Sequence, residues 1–115
     1  MLNLSLKELS QALERKKFTS VELTQFFLNR VKKHNPSLNA FITIDEGKSL
    51  AMAEKSDQII QSGKKSVLTG IPIAQKDIFC TTDMPTTCGS KMLENFVSPV
   101  DAHIVQKFNE HGLVN

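Results

Sequence analysis

The sequence contains no tryptophan and no tyrosine, and its seven phenylalanines are its only aromatic residues apart from histidine. The formal net charge is only +2, and the lysines are spread along the chain rather than concentrated in one stretch. Proteins that bind nucleic acid directly usually combine concentrated positive charge with aromatic side chains for base stacking. The composition therefore does not indicate a nucleic-acid interface on this chain.

Long apolar runs and cysteine are also scarce. No stretch approaches the roughly 20 apolar residues of a membrane span, and the first residues do not follow the pattern of a signal peptide. Cys80 and Cys88 lack the spacing of a zinc-ligand pair, and no paired histidines accompany them. We expect no membrane attachment, no metal site, and two reduced thiols in a cytosolic protein.

The sequence does contain clear signals for four helix starts. Ser5 with Glu8, and Thr19 with Glu22, have the spacing of capping boxes. In a capping box, the side chain of each of two residues three apart accepts a hydrogen bond from the main-chain amide of the other. Asp45 and Asp101 are expected to cap a third and a fourth helix. The residues predicted to face inward are Leu6, Leu9, Ala12, Leu13, Leu23, Phe26, Phe27, Val31, Leu50, Ala51, Ala53, Ile59, Ile60, Ile104, Val105 and Phe108.

The ends of these helices are predicted from proline and glycine. Asn35 and Pro36 are expected to stop the second helix, because proline lacks an amide N–H and clashes with the preceding turn. Gly63 and Gly112 suit the left-handed position that often follows a helix end. The first two helices, joined by a very short turn, are expected to form a helical hairpin.

Short apolar runs predict strands between the helices. Residues 40–44 (AFITI) read as one strand, residues 68–74 as a second that contains Pro72, and residues 113–114 as the start of a third. This α/β alternation, with helices as crossovers, implies parallel strands. Because so few strands leave bare edges, the simplest interpretation is a fragment of a larger sheet.

Two groups of residues with potentially catalytic side chains can be set aside. Residues 62–65 (SGKK) match a Ser-x-x-Lys pattern, but the serine of such sites opens a helix, whereas Ser62 closes one in a polar turn. His34, His103 and His111 fall in or at the ends of surface helices, and no Gly-x-Ser-x-Gly segment is present to pair with them.

Lys76 is the candidate with the clearest chemical context, since it follows the apolar run at residues 70–75. Strand alternation places Pro72, Ala74 and Lys76 on one face. A lysine there could be buried and act as a neutral base, because desolvation disfavours the charged amine. The alternative is a strand-end lysine that reaches solvent or pairs with a carboxylate, and the pattern alone favours this second interpretation.

Three segments together resemble the start of the amidase-signature family. They are residues 70–77 (GIPIAQKD), residues 86–96 (TTCGSKMLENF) and residues 99–102 (PVDA), and the opening helices are similar as well. The segment SKMLENF looks most like the amidotransferase A subunits of that family. Gln75, Val100 and His103 depart from the family's usual residues. Gln75 is expected to face away from Lys76, and the other two fall at the start of the last helix.

The resemblance implies a fold and a catalytic residue. The chain would be the N-terminal portion of a single amidase-signature domain, α/β in class, with a helical hairpin at 1–35 and the start of the core at 36–115. Its mixed sheet would be incomplete. The family uses a serine, a second serine held by a cis peptide bond, and a lysine, which falls on Lys76. The Gly/Ser-rich segment with both serines would lie beyond residue 115, so this chain alone is expected to be inactive.

The resemblance also implies partners and a reaction. The parent enzyme would hydrolyse glutamine and pass ammonia to a B subunit, which uses ATP and Mg to amidate Glu-tRNA(Gln) or Asp-tRNA(Asn). A C subunit would complete this C–N ligase. Charged tRNA would bind mainly through the B subunit. Because ATP and Mg would also be used by the B subunit, no cofactor is expected on this chain. The location would be the bacterial cytoplasm or an organellar matrix.

Two other functions compete with this interpretation. A free-standing amidase of the same family would hydrolyse small or aryl amides without partner subunits. In a non-catalytic helical binding module, Lys76 would have no catalytic role. A Gly-Ser-Ser-Gly-Gly-like segment downstream in the gene would exclude the binding module.

Overall fold

The computed structural model describes residues 1–115 and is mainly helical. Its elements are α1 (Leu6–Glu14), α2 (Ser20–Leu38), α3 (Glu46–Gln61), a 3₁₀ turn (Lys91–Leu93) and α4 (His103–Glu110). None of these helices has the length and apolar character needed to cross a bilayer. The 3₁₀ turn follows the hydroxyl-rich loop at residues 81–90 and was not predicted.

Three of the four predicted helix caps are confirmed. The Ser5 hydroxyl accepts the Glu8 amide at 3.3 Å while the Glu8 carboxylate accepts the Ser5 amide at 2.7 Å. Thr19 and Glu22 make the same reciprocal pair at 3.0 and 2.8 Å. Asp45 accepts the Lys48 amide at 3.0 Å.

The fourth predicted cap is wrong. Ala102 occupies the cap position of α4 and provides no side-chain hydrogen bond. The carboxylate of Asp101, one residue earlier, instead accepts the Thr82 amide at 2.7 Å. A tertiary contact to the preceding loop therefore replaces the expected local cap.

The predicted end of the second helix at Asn35 and Pro36 is also wrong. Helix α2 continues through Pro36 and ends at Leu38, and Asn39 adopts a left-handed φ of 49°. Pro36 lies in the last turn, where its missing N–H removes only one helical bond. The Asn35 amide side chain binds the N–H and the C=O of Phe41, at 2.8 and 3.0 Å, and so fixes the exit of the chain.

The strand predicted at residues 40–44 is not formed. The segment is irregular, and the main-chain groups of residues 42–44 make no hydrogen bond. A strand exists only when a neighbouring strand satisfies its N–H and C=O groups, and no such neighbour is present here. The apolar, β-branched composition predicted the wrong structure for this reason.

The second and third predicted strands are reduced to one parallel bridge, between Pro72 and Val114. The Ile73 amide donates to the Val114 carbonyl at 2.8 Å, and the Val114 amide donates to the Ile71 carbonyl at 3.0 Å. Residues 67–70 form turns instead of extending the strand. The parallel direction agrees with the α/β interpretation, whereas a sheet of several strands is not present.

A small core joins the helices to this bridge. Leu9 and Leu13 of α1 pack with Leu23 of α2 and with Ile71, and Phe18, Phe27 and Ile60 cover the cluster. The most extensive helix–helix contact is between α2 and α3. Three of the predicted inward positions are wrong, since their side chains are exposed: Leu6, Ala51 and Ile104.

Hydrogen bonds from the start of α2 hold α3 and the main chain at Gly70 in place. The Asp57 carboxylate of α3 accepts the Ser20 and Val21 amides at 2.7 and 3.2 Å. The Ser20 hydroxyl donates to the Gly70 carbonyl at 2.8 Å. Gly70 has a φ of +82°, and a Cβ there would lie 3.0 Å from the Ser20 Cβ, so this close approach requires glycine.

Candidate active site

A cleft of about 840 Å³ opens on one side of the molecule. One wall is formed by the inner face of α2 and by residues 40–45, and the other by residues 72–79 together with parts of the loop at 81–89. Most of the lining is apolar, with Lys76 and Asp77 as charged groups of the second wall. The cleft thus combines an apolar surface with a free amine.

Lys76 lies on this second wall, four residues after Pro72 of the parallel bridge. Its side chain is exposed and makes no hydrogen bond or ion pair. The predicted alternation is visible in the burial pattern, because Ile71 is buried while Ala74 and Lys76 are exposed. In this chain the amine therefore faces the open cleft.

Asp77 does not pair with Lys76. Its carboxylate accepts the Thr87 amide at 2.8 Å and also binds the Thr87 hydroxyl. The Asp77 carbonyl accepts the Cys88 amide at 2.9 Å. Sequence reasoning missed this contact, because nothing in the residue spacing indicated that the loop folds back onto the Lys76 segment.

The loop that follows is fixed at several further points. The Thr86 amide donates to the Phe96 carbonyl at 2.8 Å, and the Thr86 hydroxyl accepts the Thr81 amide at 3.3 Å. Thr81, Thr86 and Thr87 are all buried. The hydroxyl-rich composition of this loop therefore serves mainly to satisfy its own main chain.

The other residues considered from the sequence lie elsewhere. Ser62 is exposed after α3, and its hydroxyl donates to the Ile59 carbonyl at 2.8 Å. None of the three histidines lines the cleft. Cys80 and Cys88 are free thiols, and the structure contains no cluster of three His, Cys, Asp or Glu side chains suited to a metal ion. Among these candidates, Lys76 and Cys88 alone line the cleft.

The family model described as Amidase matches residues 22–115. The chain therefore belongs to the amidase family, as its motifs indicated. Its structure has the fold of the family's solved members. A peptide amidase from Stenotrophomonas maltophilia superposes with a TM-score of 0.90 at 28% identity, covering 97% of this chain and 23% of that one. An amidase family protein from Bacillus anthracis gives a TM-score of 0.89 at 32% identity, covering 99% and 24%.

Within the family, the chain is similar to proteins named as the A subunit of glutamyl-tRNA(Gln) amidotransferase. The relative from Nitrosomonas europaea is 60% identical over all 115 residues, and that from Coxiella burnetii is 52% identical over 96% of the chain. The chain spans about a quarter of the length of these relatives, 24% and 23% respectively. The sequence thus matches part of a longer protein.

Proposed function

We propose that this chain supplies one quarter, including the base Lys76, of the glutaminase subunit of a tRNA-dependent amidotransferase. The observation that carries the proposal is the 60% identity to such a protein over the whole chain. It is supported by the position of Lys76 on the wall of a cleft, without a carboxylate partner.

In the proposed reaction, Lys76 accepts a proton from the serine held by a cis peptide bond. That serine deprotonates the nucleophilic serine, which attacks the amide carbon of glutamine. The proton returns along the same path to the departing ammonia, and water then hydrolyses the glutamyl ester to glutamate and restores the serine. Residues 1–115 contain no Gly/Ser-rich segment for these two serines, so the rest of the enzyme must supply them and complete the sheet. The amine must be neutral to accept a proton, and covering the cleft would favour the neutral form.

The proposed assembly contains B and C subunits and operates in the cytoplasm. Ammonia passes to the B subunit, where ATP and Mg activate the charged tRNA. The weak net charge of this chain is consistent with tRNA binding mainly elsewhere. High identity to amidotransferase subunits favours this function over a free-standing amidase, and family membership favours an enzyme over a helical binding module.

The test uses a chimeric glutaminase, in which this chain replaces the matching quarter of the Nitrosomonas europaea relative, combined with that organism's partner subunits. Lys76→Ala should abolish glutamine-dependent amidation of Glu-tRNA(Gln), yet leave amidation supported by ammonium chloride nearly intact. Lys76→Arg should be equally inactive, since a guanidinium stays charged. Exposed Lys33 of α2 offers a control, and Lys33→Ala should leave both activities unchanged.

Two outcomes would contradict the proposal. Glutaminase activity retained in either Lys76 variant would exclude this lysine as the base, and equal loss of both activities would indicate a structural role. The isolated 115-residue chain, which lacks both serines, should release no ammonia from glutamine. Ammonia release that exceeds the rate in buffer alone and disappears in Lys76→Ala would show that the chain is an amidase by itself.

A further inference from the structure

Asp77 connects the segment that carries Lys76 to the turn formed by residues 87–89. Its two carboxylate oxygens are both used by Thr87, one by the amide at 2.8 Å and one by the hydroxyl. Its main-chain carbonyl accepts the Cys88 amide at 2.9 Å. Three hydrogen bonds therefore join one residue, next to the proposed base, to two consecutive residues of the opposite turn.

The turn at residues 87–89 has a conformation that needs such support. Cys88 and Gly89 both adopt left-handed φ values, 53° and 69°, a conformation that crowds the Cβ of a residue such as Cys88 against its own main chain. Thr87 is 4% exposed, its hydroxyl accepts the Gly89 amide at 3.1 Å, and its carbonyl accepts the Ser90 amide at 2.8 Å. Thr87 is thus the centre of the turn, and Asp77 is what holds Thr87.

The same turn forms part of the cleft wall beside the proposed base. Cys88 and Gly89 line the cleft together with Lys76 and Asp77. The turn has no other charged partner, and Lys76 has none at all. The bonds of Asp77 therefore connect the Lys76 segment directly to this part of the wall.

We propose that Asp77 is a positioning residue for the amidase reaction, which acts by clamping the Thr87–Gly89 turn against the Lys76 segment. The inference rests on the proposed function, in which Lys76 is the base. Proton transfer requires the donor and acceptor to approach within hydrogen-bond distance, and a displacement of about 1 Å can lower the rate of an enzyme about 100-fold. A clamp one residue from the base limits such displacement.

The chemistry of the clamp makes specific variants informative. Asp77→Asn keeps one acceptor oxygen and replaces the other by an NH₂ group, so the charge-assisted bond from the Thr87 hydroxyl is lost and only a weaker neutral contact can replace it. Thr87→Val loses the hydroxyl but keeps the amide bond, whereas Thr87→Ser keeps both. Thr87→Val removes the hydroxyl contact with Asp77 and also the acceptor of the Gly89 amide. Because the two variants share the Asp77–Thr87 contact, the effect of the double variant should be less than the product of the single effects.

The experiment measures glutamine hydrolysis by the chimeric glutaminase in its complete complex. Asp77→Asn and Thr87→Val should each lower kcat by about 10- to 100-fold, while Thr87→Ser should retain activity and ammonium-supported amidation should not change. Hydrogen exchange of a peptide covering residues 86–90 should speed up in Asp77→Asn and Thr87→Val, but not in Thr87→Ser. Asp101→Asn is the matched control, because Asp101 also binds a loop amide, that of Thr82 at 2.7 Å, away from the cleft.

The outcomes separate the clamp from the proposed function. If Lys76→Ala is inactive but Asp77→Asn and Thr87→Val keep the kcat of the unmodified enzyme, the clamp is wrong and the function stands. Equal losses of kcat and thermal midpoint in Asp77→Asn and Asp101→Asn would reduce Asp77 to a structural residue. Glutaminase activity in Lys76→Ala would remove the proposed function, whatever Asp77 does.

Discussion

At the scale of a single residue, two buried hydroxyls on α2 differ in whether they have a hydrogen-bond partner. Ser20 is fully buried, and its hydroxyl donates to the Gly70 carbonyl at 2.8 Å. Thr24, one turn later, is 2% exposed, and its hydroxyl has no hydrogen-bond partner. A buried polar group stabilises a protein only when it is paired, so the two hydroxyls should have opposite effects.

Exchanging each hydroxyl for an apolar group tests this difference. Ser20→Ala should lower the free energy of unfolding by about 1–3 kcal/mol, because it leaves the Gly70 carbonyl unpaired. Thr24→Val keeps the shape of the side chain and removes an unpaired hydroxyl, so it should be neutral or stabilise by about 1 kcal/mol. Urea denaturation followed by far-ultraviolet circular dichroism measures both, and a loss in Thr24→Val as large as that in Ser20→Ala would show that Thr24 has a partner.

At the scale of the element, three of the four helices begin at a local side-chain cap. Both capping boxes close over three residues and need nothing from the rest of the molecule. In the first box, the Ser5 amide and then the Ser5 hydroxyl hold the pKa of Glu8 below its ordinary value. The ionised form of Glu8 is thus the form that caps α1.

The lowered pKa of Glu8 predicts a pH dependence for α1. The capping contribution should be fully present above the unfolded pKa of about 4.3 and be lost as the pH falls through the lower folded value. Carboxyl titration by NMR should show the depressed pKa, and the protection of the amides of residues 6–10, relative to their intrinsic exchange rate at each pH, should fall only at the acid end.

Glu8→Gln removes the ionisable group and should abolish the pH dependence of this protection. Glu54→Gln, at an exposed position of α3, is the control and should retain it. An ordinary pKa for Glu8, or the same acid response in Glu8→Gln, would show that the box does not depend on the charge.

The whole molecule is less compact than is usual for a chain of its length. Only 20 of its 115 residues are buried, and the radius of gyration is 14.5 Å, larger than the about 13 Å expected for a compact chain of this size. Ile42 is 62% exposed in a segment whose main-chain groups are unpaired. These features agree with a chain that matches only about a quarter of the length of its relatives.

This openness predicts uneven protection from hydrogen exchange. In the isolated chain, the amides of residues 42–44 should exchange at the rate of unstructured peptide, whereas residues 5–34 should exchange most slowly because their caps are local. In the chimeric glutaminase, residues 42–44 should become protected by neighbouring strands. A single, uniformly protected unit across all 115 residues of the isolated chain would contradict the prediction.

The sequence by itself determined the features that depend on neighbours three or four residues apart. The capping boxes at Ser5 and Thr19, the cap at Asp45 and the left-handed Gly63 were read from spacing, because each rests on local bonds or local sterics. The motifs around Lys76 likewise identified the family that the comparisons show.

The tertiary structure decided everything that requires a partner far along the chain. Residues 40–44 have the composition of a strand but no neighbour to bind, and Pro72 forms a bridge only because Val114 returns beside it. The contacts of Asp77 with Thr87 and of Asp101 with Thr82 span ten and nineteen residues, and no periodicity encodes such distances. The physical reason is that a main-chain or carboxylate group binds whichever partner the folded chain brings within reach, and the spacing of residues in sequence does not contain that information.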